Sequence, residues 1–143
     1  MEIINVDKQT LAYAKEAMRM FMKKRAFNPS FFDNLNNHMV VACEQGEVIG
    51  MVYGYTLEAF DSKEKQCFIY SIDVRDSFQQ QGVGKALING LLASLGESVT
   101  EAFVMTNVKN EAAMALYTST KAKRASIDDN YDVLFVYEGW AKA

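Results

Sequence analysis

Proline occurs once in these 143 residues, histidine once and cysteine twice. Cys43 and Cys67 have no Cys-x-x-Cys spacing, and His38 stands alone, so there is no metal cluster to propose. Both cysteines lie in apolar runs, as buried free thiols do in a reducing compartment. No apolar run reaches about 18 residues, so no membrane span is expected. The opening Met1-Glu2-Ile3-Ile4-Asn5 lacks the basic-then-apolar order of a secretion signal, and a cytoplasmic protein is expected. Positive charge is not in excess either. Lys plus Arg is 15 against 18 for Asp plus Glu, a net charge of −3 with a pI near 5.2. A nucleic-acid binder would show a basic face, so that class is disfavoured. The charge fits an amine-bearing partner, and it is equally what solubility asks for.

Apolar residues are plentiful. Hydrophobic residues make up 50% of the chain and aromatics 12%, which excludes global disorder. The length suits one domain, residues 1–143, with a single substantial core. Glu2 to Val6 reads as a strand. Leu11, Ala14, Met18, Phe21 and Met22 recur at helical spacing, predicting a helix from Lys8 to about Arg25. Asn28-Pro29 breaks it, and Ser30 with Asp33 suggests the cap of a short helix to about Asn37. Strands follow at His38–Glu44 and Val48–Leu57, joined by a three-residue hairpin loop, Gln45-Gly46-Glu47. In the strand Cys67–Val74, alternation would put Phe68, Tyr70, Ile72 and Val74 on one face and Ser71 and Asp73 on the other. Leu87, Ile88, Leu91, Leu92 and Leu95 form an apolar helical stripe that Gly96 would stop. Ala102–Thr106 reads as a strand, Asn110 to about Thr120 as a helix, Asp132–Tyr137 as the last strand, and the residues from about Glu138 as a tail. The order is β-α-α-β-β-β-α-β-α-β. Three consecutive mid-chain strands imply antiparallel pairing, hence an α+β class with a mixed, mostly antiparallel sheet flanked by helices.

The most informative stretch is Gln79-Gln80-Gln81-Gly82-Val83-Gly84-Lys85, between a strand and a helix. Glycines at such a turn let the backbone approach a ligand, and the first free N–H groups of the helix attract an anion. This is a main-chain cradle for pyrophosphate. It is not a P-loop, because Lys85 is followed by Ala86, and the dinucleotide fingerprint would need a third glycine. Downstream stands Asn110-Glu111-Ala112-Ala113-Met114-Ala115-Leu116-Tyr117. The pattern Gln/Arg-x-x-Gly-x-Gly/Ala followed by Asn-x-x-Ala-x-x-Leu-Tyr resembles the GNAT N-acetyltransferases. Within that superfamily the likeness is greatest to the aminoglycoside 3-N-acetyltransferase I type. It spans about residues 30 to 120, through Leu35-Asn36-Asn37, Tyr55 to Phe60, Ile69-Tyr70, Gly82 to Asn89 and Ala115 to Thr118.

The resemblance implies the GNAT fold and acetyl-CoA as cosubstrate, with no metal. It implies that strand Cys67–Val74 splays from Ala102–Thr106 and that the pantetheine arm lies between them. Ile72, Asp73 and Val74 would then meet the pantetheine amides, and the Val74 N–H would stabilise the oxyanion formed at the thioester carbonyl. Gln79, Gln80, Gln81, Gly82, Val83, Gly84 and Lys85 would hold the pyrophosphate, and Asn110 the cofactor arm. The Tyr117 hydroxyl would protonate the departing thiolate; its alternative is an aromatic packed at a helix end. Family members often carry a carboxylate where this chain has Phe68 or Ser71. Asp73 is the nearest candidate base; its alternative is a solvent-facing strand end. A second departure is Thr120-Lys121-Ala122, where relatives continue with a Leu-Gly-Phe-like segment.

The implied activity is acetyl transfer to a primary amine of a small molecule, aminoglycosides included, which would make the chain an antibiotic-resistance enzyme. Glu58, Asp61, Asp128, Asp129 and Asp132 would be the acids available to a polycationic sugar. The competing expectations are an acyl-CoA-binding module without catalysis and a protein or peptide N-acetyltransferase. A homodimer is expected through the aromatic-rich Tyr131–Tyr137.

Overall fold

A computed structural model describes residues 1–142. Among them, seven strands form one sheet flanked by three α-helices. In chain order these are β1 (Glu2–Asn5), α1 (Leu11–Phe21), β2 (Asn37–Glu44), β3 (Glu47–Glu58), β4 (Lys65–Val74), α2 (Val83–Ser94), β5 (Val99–Asn107), α3 (Glu111–Ser119), β6 (Lys123–Ile127) and β7 (Asp132–Glu138). The sheet order is β1-β2-β3-β4-β5-β7-β6, and only β4–β5 is parallel. This is the GNAT fold that the sequence led us to expect.

Several boundaries differ from expectation. The first helix is shorter than Lys8–Arg25, because the Asp7–Thr10 turn precedes it and the chain leaves the helix at Met22. The expected second helix is a single 3-10 turn, Pro29–Asp33. Its cap is Asn28 rather than Ser30: the Asn28 Oδ1 accepts from the Ser30 N–H at 3.2 Å. The β2–β3 loop has two residues, Gln45 and Gly46, both with positive φ (50° and 81°), a geometry whose twist matches the flanking strands. α2 ends at Ser94, capped by Leu95, one residue before Gly96. Residues 139–142 are not a loose tail, since Trp140 packs against the core and the Lys142 ammonium bonds the Gly96 carbonyl at 2.8 Å.

β6 went unrecognised because its five residues are all exposed and carry no apolar alternation. It is an edge strand held only by β7. The aromatics of β7 also face differently from expectation. Phe135 and Tyr137 are buried in the core and offer no surface to a second copy, while the exposed Tyr131 lies outside the strand.

Each face of the sheet has its own core. The α2 stripe (Leu87, Ile88, Leu91, Leu92 and Leu95) packs with Val40, Val52, Ile69 and Val104 on one side. On the other, Ala14 and Ala17 of α1 pack with Val41, Met51 and Phe32. α1 covers β2 and β3 only, leaving the same face of β4, β5 and β7 bare of any helix.

The phase of β4 is not the simple alternation expected. Tyr53 pairs with Ser71 but Gly54 pairs with Ile69, so Tyr70 is an extra residue, a β-bulge. The slip keeps Cys67 and Ile69, before it, and Ile72 and Val74, after it, all on the α2 side. Phe68 and Tyr70 turn to the opposite face together with Ser71 and Asp73 (Phe68 meets Tyr70 edge-on, and Asp73 pairs with Met51 of the α1-side core).

Candidate active site

β4 and β5 are joined only at their beginnings. Lys65, Gln66, Cys67 and Phe68 pair with Val99, Glu101, Ala102 and Phe103, and pairing then stops. Beyond that point β4 stays on β3 while β5 stays on β7, so a gap opens along residues 69–74. The Phe68 and Phe103 rings close its near end, stacked with centroids 4.9 Å apart and planes within 4°. The Arg75 N–H donates to the Ile49 carbonyl at 2.9 Å. Strand alternation therefore turns Asp73 main chain toward β3, and the main chain of Ile72 and Val74 toward the gap.

The far end of the gap opens into a cleft of about 600 Å³, between the end of β4, the start of α2 and α3. It is lined by Ile72, Asp73 and Val74 from β4, and by Gln79, Gln80, Gly82, Val83, Gly84 and Lys85 from the loop and helix start. Asn110 joins them from α3. Ten of the twelve site residues expected from sequence thus meet in one concavity. Gln81 and Tyr117 are not on its wall. Gln81 points back along the loop, its Nε2 donating to the Ser77 carbonyl at 3.1 Å.

The loop has the features of an anion cradle. Gly82 is the N-cap of α2 and sits in the left-handed region at φ 82°, a conformation that a side chain resists. The first helical bond is from the Ala86 N–H to the Gly82 carbonyl at 3.0 Å. The N–H groups of Val83, Gly84 and Lys85 precede it and lie free at the positive end of the helix dipole. Among the described residues Lys85 makes no ion pair, which leaves its ammonium for a phosphate. Gly84 departs from expectation. A Cβ there would lie 3.1 and 3.2 Å from the two Leu116 methyls, so this glycine lets α3 approach α2. Gln79 braces the loop, its Nε2 reaching the Val74 carbonyl at 3.3 Å and Asp76 Oδ1 at 3.2 Å. These features suit the pyrophosphate of CoA, and the gap suits an extended amide-bearing arm.

Asn110 is the N-cap of α3: its Oδ1 accepts from the Ala113 N–H at 3.1 Å, which leaves the amide nitrogen for a ligand. Tyr117 is 4% exposed, its ring 5.5 Å from that of Phe135. Burial first, then Tyr137 and Asp73, push its hydroxyl up to about 12. Burial also raises the Asp73 carboxyl above its ordinary range. The charge of Asp73 is felt at Tyr117 on one side and at Tyr53 on the other, so the carboxylate stands where the gap connects both faces of the sheet. The lone His38 plays no part, being bonded to Thr56 at 2.5 Å away from the cleft.

Sequence reasoning did not anticipate two sets of residues. Ala112, Ala113, Ala115 and Leu116 of α3 line the cleft; the small size of the three alanines within the Asn-x-x-Ala-x-x-Leu-Tyr motif was the available signal. Tyr53, Tyr55, Tyr70 and Phe31 form an aromatic cluster beside Asp73 on the α1 side. Only the β4 bulge, invisible in the pattern, brings Tyr70 there.

Among the described residues there is no cluster of His, Cys, Asp or Glu able to hold a metal ion, and no helix is long and apolar enough to cross a membrane. The acids considered for a polycationic sugar are scattered. Glu58 pairs with Lys65 at 3.6 Å, while Asp128 and Asp132 are bonded within the β6–β7 turn and to Asn107.

No curated protein matches this sequence. Solved structures do. An aminoglycoside acetyltransferase, meta-AAC0020 from an uncultured soil metagenomic sample, solved with trehalose, is similar at TM-score 0.76 and 23% identity, covering 91% of this chain and 94% of that one. NAA60 of Arabidopsis thaliana, solved with a bisubstrate analogue, is similar at TM-score 0.66 and 18% identity, over 96% and 98%. The ribosomal-protein-S18-alanine N-acetyltransferase of Escherichia coli is similar at TM-score 0.67 and 18% identity, over 99% and 96%. Residues 7–120 match the Acetyltransferase (GNAT) family. The chain belongs to that family and is an N-acetyltransferase that draws its acetyl group from acetyl-CoA.

Proposed function

We propose that the protein transfers the acetyl group directly from acetyl-CoA to a primary amine of a small molecule. The observation that carries this is the gap between β4 and β5, which joins the phosphate cradle to Asp73, a half-buried carboxylate near the end of β4. Gln79 to Lys85 hold the pyrophosphate, with Gln81 bracing the loop rather than touching it. Ile72 and Val74 offer main-chain groups to the pantetheine arm, and the Val74 N–H points at the acyl oxygen. Asp73 takes the ammonium proton, directly or through water; its raised proton affinity makes it a better base than an ordinary aspartate. Tyr117 donates a hydrogen bond to the departing sulfur, Asn110 steadies the cofactor arm, and the protein acts as a homodimer in the cytoplasm.

The likeness to the aminoglycoside 3-N-acetyltransferase I type, with the similarity to meta-AAC0020, puts aminoglycosides on the list of acceptors. The peptide amino terminus is the competing acceptor, favoured by the similarity to NAA60 and the S18-alanine enzyme. Release of free thiol from acetyl-CoA across a panel of small amines and peptides tests the proposal. Turnover with a small primary amine, lost in Asp73→Asn at low pH, is expected. Turnover with peptides alone would overturn it.

A further inference from the structure

The face of the sheet opposite the cleft's helix carries a run of aromatic rings with one acid at its end. Tyr53 stacks on Tyr70 (centroids 5.5 Å, planes 29°), and Tyr55 meets Tyr70 edge-on at 5.8 Å. Phe31 closes on Tyr53 and Tyr55 at 6.1 and 5.8 Å. Tyr70 is 57% exposed although it lies on a central strand, as the extra residue of the bulge. Beside this cluster lies a cavity of about 220 Å³ whose walls, from α1, the Pro29–Asp33 turn and β3, include no charged side chain. That is roughly seven water volumes, the size of one ring with a short chain.

Resting on the proposal that the protein acetylates a small amine, we infer that its acceptor is a monoamine bearing an aromatic or bulky apolar flank, not a polycationic sugar. The ring faces stabilise both an apolar flank and the ammonium before it gives up its proton. A single carboxylate, Asp73, matches a single ammonium. A polycation would need several acids, and none lines the cavity; the cation whose field reaches Tyr53 is Arg25, which would repel a second positive group.

Initial rates with 2-phenylethylamine, ethylamine, sisomicin and an unblocked peptide test this in the intact protein with saturating acetyl-CoA. 2-Phenylethylamine is expected to show a kcat/KM at least tenfold above each of the other three. Tyr70→Ala should raise its KM about tenfold and that of ethylamine by less, with CoA affinity within twofold of the parent. Preference for sisomicin or the peptide, or an unchanged KM in Tyr70→Ala, would overturn the inference. If no amine is acetylated, the proposed function fails by itself. Titration of 2-phenylethylamine into the CoA-loaded protein, followed by tyrosine fluorescence, then decides. Saturable binding weakened tenfold by Tyr70→Ala sustains the aromatic site, and no binding refutes it.

Discussion

Two side chains on opposite sides of one gap carry the proposed catalytic roles. Burial gives Tyr117 a hydroxyl that stays protonated at any physiological pH. With its acidity pushed to about 12, full proton transfer to an ordinary thiolate near 8.5 would run uphill by roughly 5 kcal/mol. In the proposed mechanism the hydroxyl therefore serves as a hydrogen-bond donor to the developing charge, a bond worth about 1.5–3 kcal/mol. Tyr117→Phe should lower kcat about 10- to 100-fold while CoA affinity, read by calorimetry, stays put.

Asp73 behaves oppositely. Its folded-state affinity for a proton exceeds that of the unfolded chain, because burial penalises the charge. The penalty is absent below the ordinary carboxylate range, where both states are neutral, and complete above the raised folded value. Asp73→Asn should thus melt higher than the parent at pH 7, with the advantage shrinking on acidification. Its activity defect should run the other way, deepest at low pH where the amine is protonated and smaller as pH rises. A flat pH response in the variant would assign the proton to water.

At the scale of elements, α2 carries both the core and the cradle. Five of its residues, Val83, Leu87, Ile88, Leu91 and Leu92, are buried against the sheet, so its free N-terminal amides are held rigidly at the gap. Gly82→Val forces a β-branched residue into a left-handed conformation, costing about 1–3 kcal/mol of stability and displacing the amides. CoA affinity should fall by more than tenfold while circular dichroism still reports a folded protein. Gly84→Ala tests a separate point. The helix gains about 0.5–1 kcal/mol of propensity but must push Leu116 aside, so stability should hardly move while cofactor affinity drops as α3 shifts.

The elements were legible wherever apolar spacing was strong. The α2 stripe and β2, β3 and β7 were readable for that reason, as was the glycine loop, where the chemistry sits in residue type. β6 was not, since an exposed edge strand of Lys, Arg, Ala, Ser and Ile imposes no pattern. The β4 faces were misjudged because a bulge is a property of two paired strands, and one strand's sequence does not announce it. The cofactor side of the site was read from motifs. The acceptor side was not, because Phe31, Tyr53 and Tyr70 meet only through pairing and helix placement.

For the whole molecule, the expected dimer needs a surface other than the one first considered. The aromatics of β7 are spent on the core, whereas Met105, Leu134, Val136 and Ile127 line a bare groove on the helix-free face. Ile127→Lys should therefore shift the species seen by light scattering from dimer to monomer, with little change in melting temperature at low protein concentration. A parent protein that is already monomeric would dispose of the dimer.

The short β4–β5 seam also governs how the molecule comes apart. Four backbone residue pairs, with the core side chains packed across them, join a first half, β1 to β4 with α1 and α2, to a second half of β5, β6, β7 and α3. The second half can detach as a unit without breaking the hairpins of the first. Amide protons of β5 and β7 should exchange faster than those of β2 and β3, through an opening of lower free energy than global unfolding. In the proposed binding mode CoA spans the seam, from the amides of α2 to the cap of α3, so bound cofactor should slow exchange in the second half most. The acetyl donor would then be a cross-brace as well as a reagent, and the enzyme would be most resistant to proteolysis when loaded.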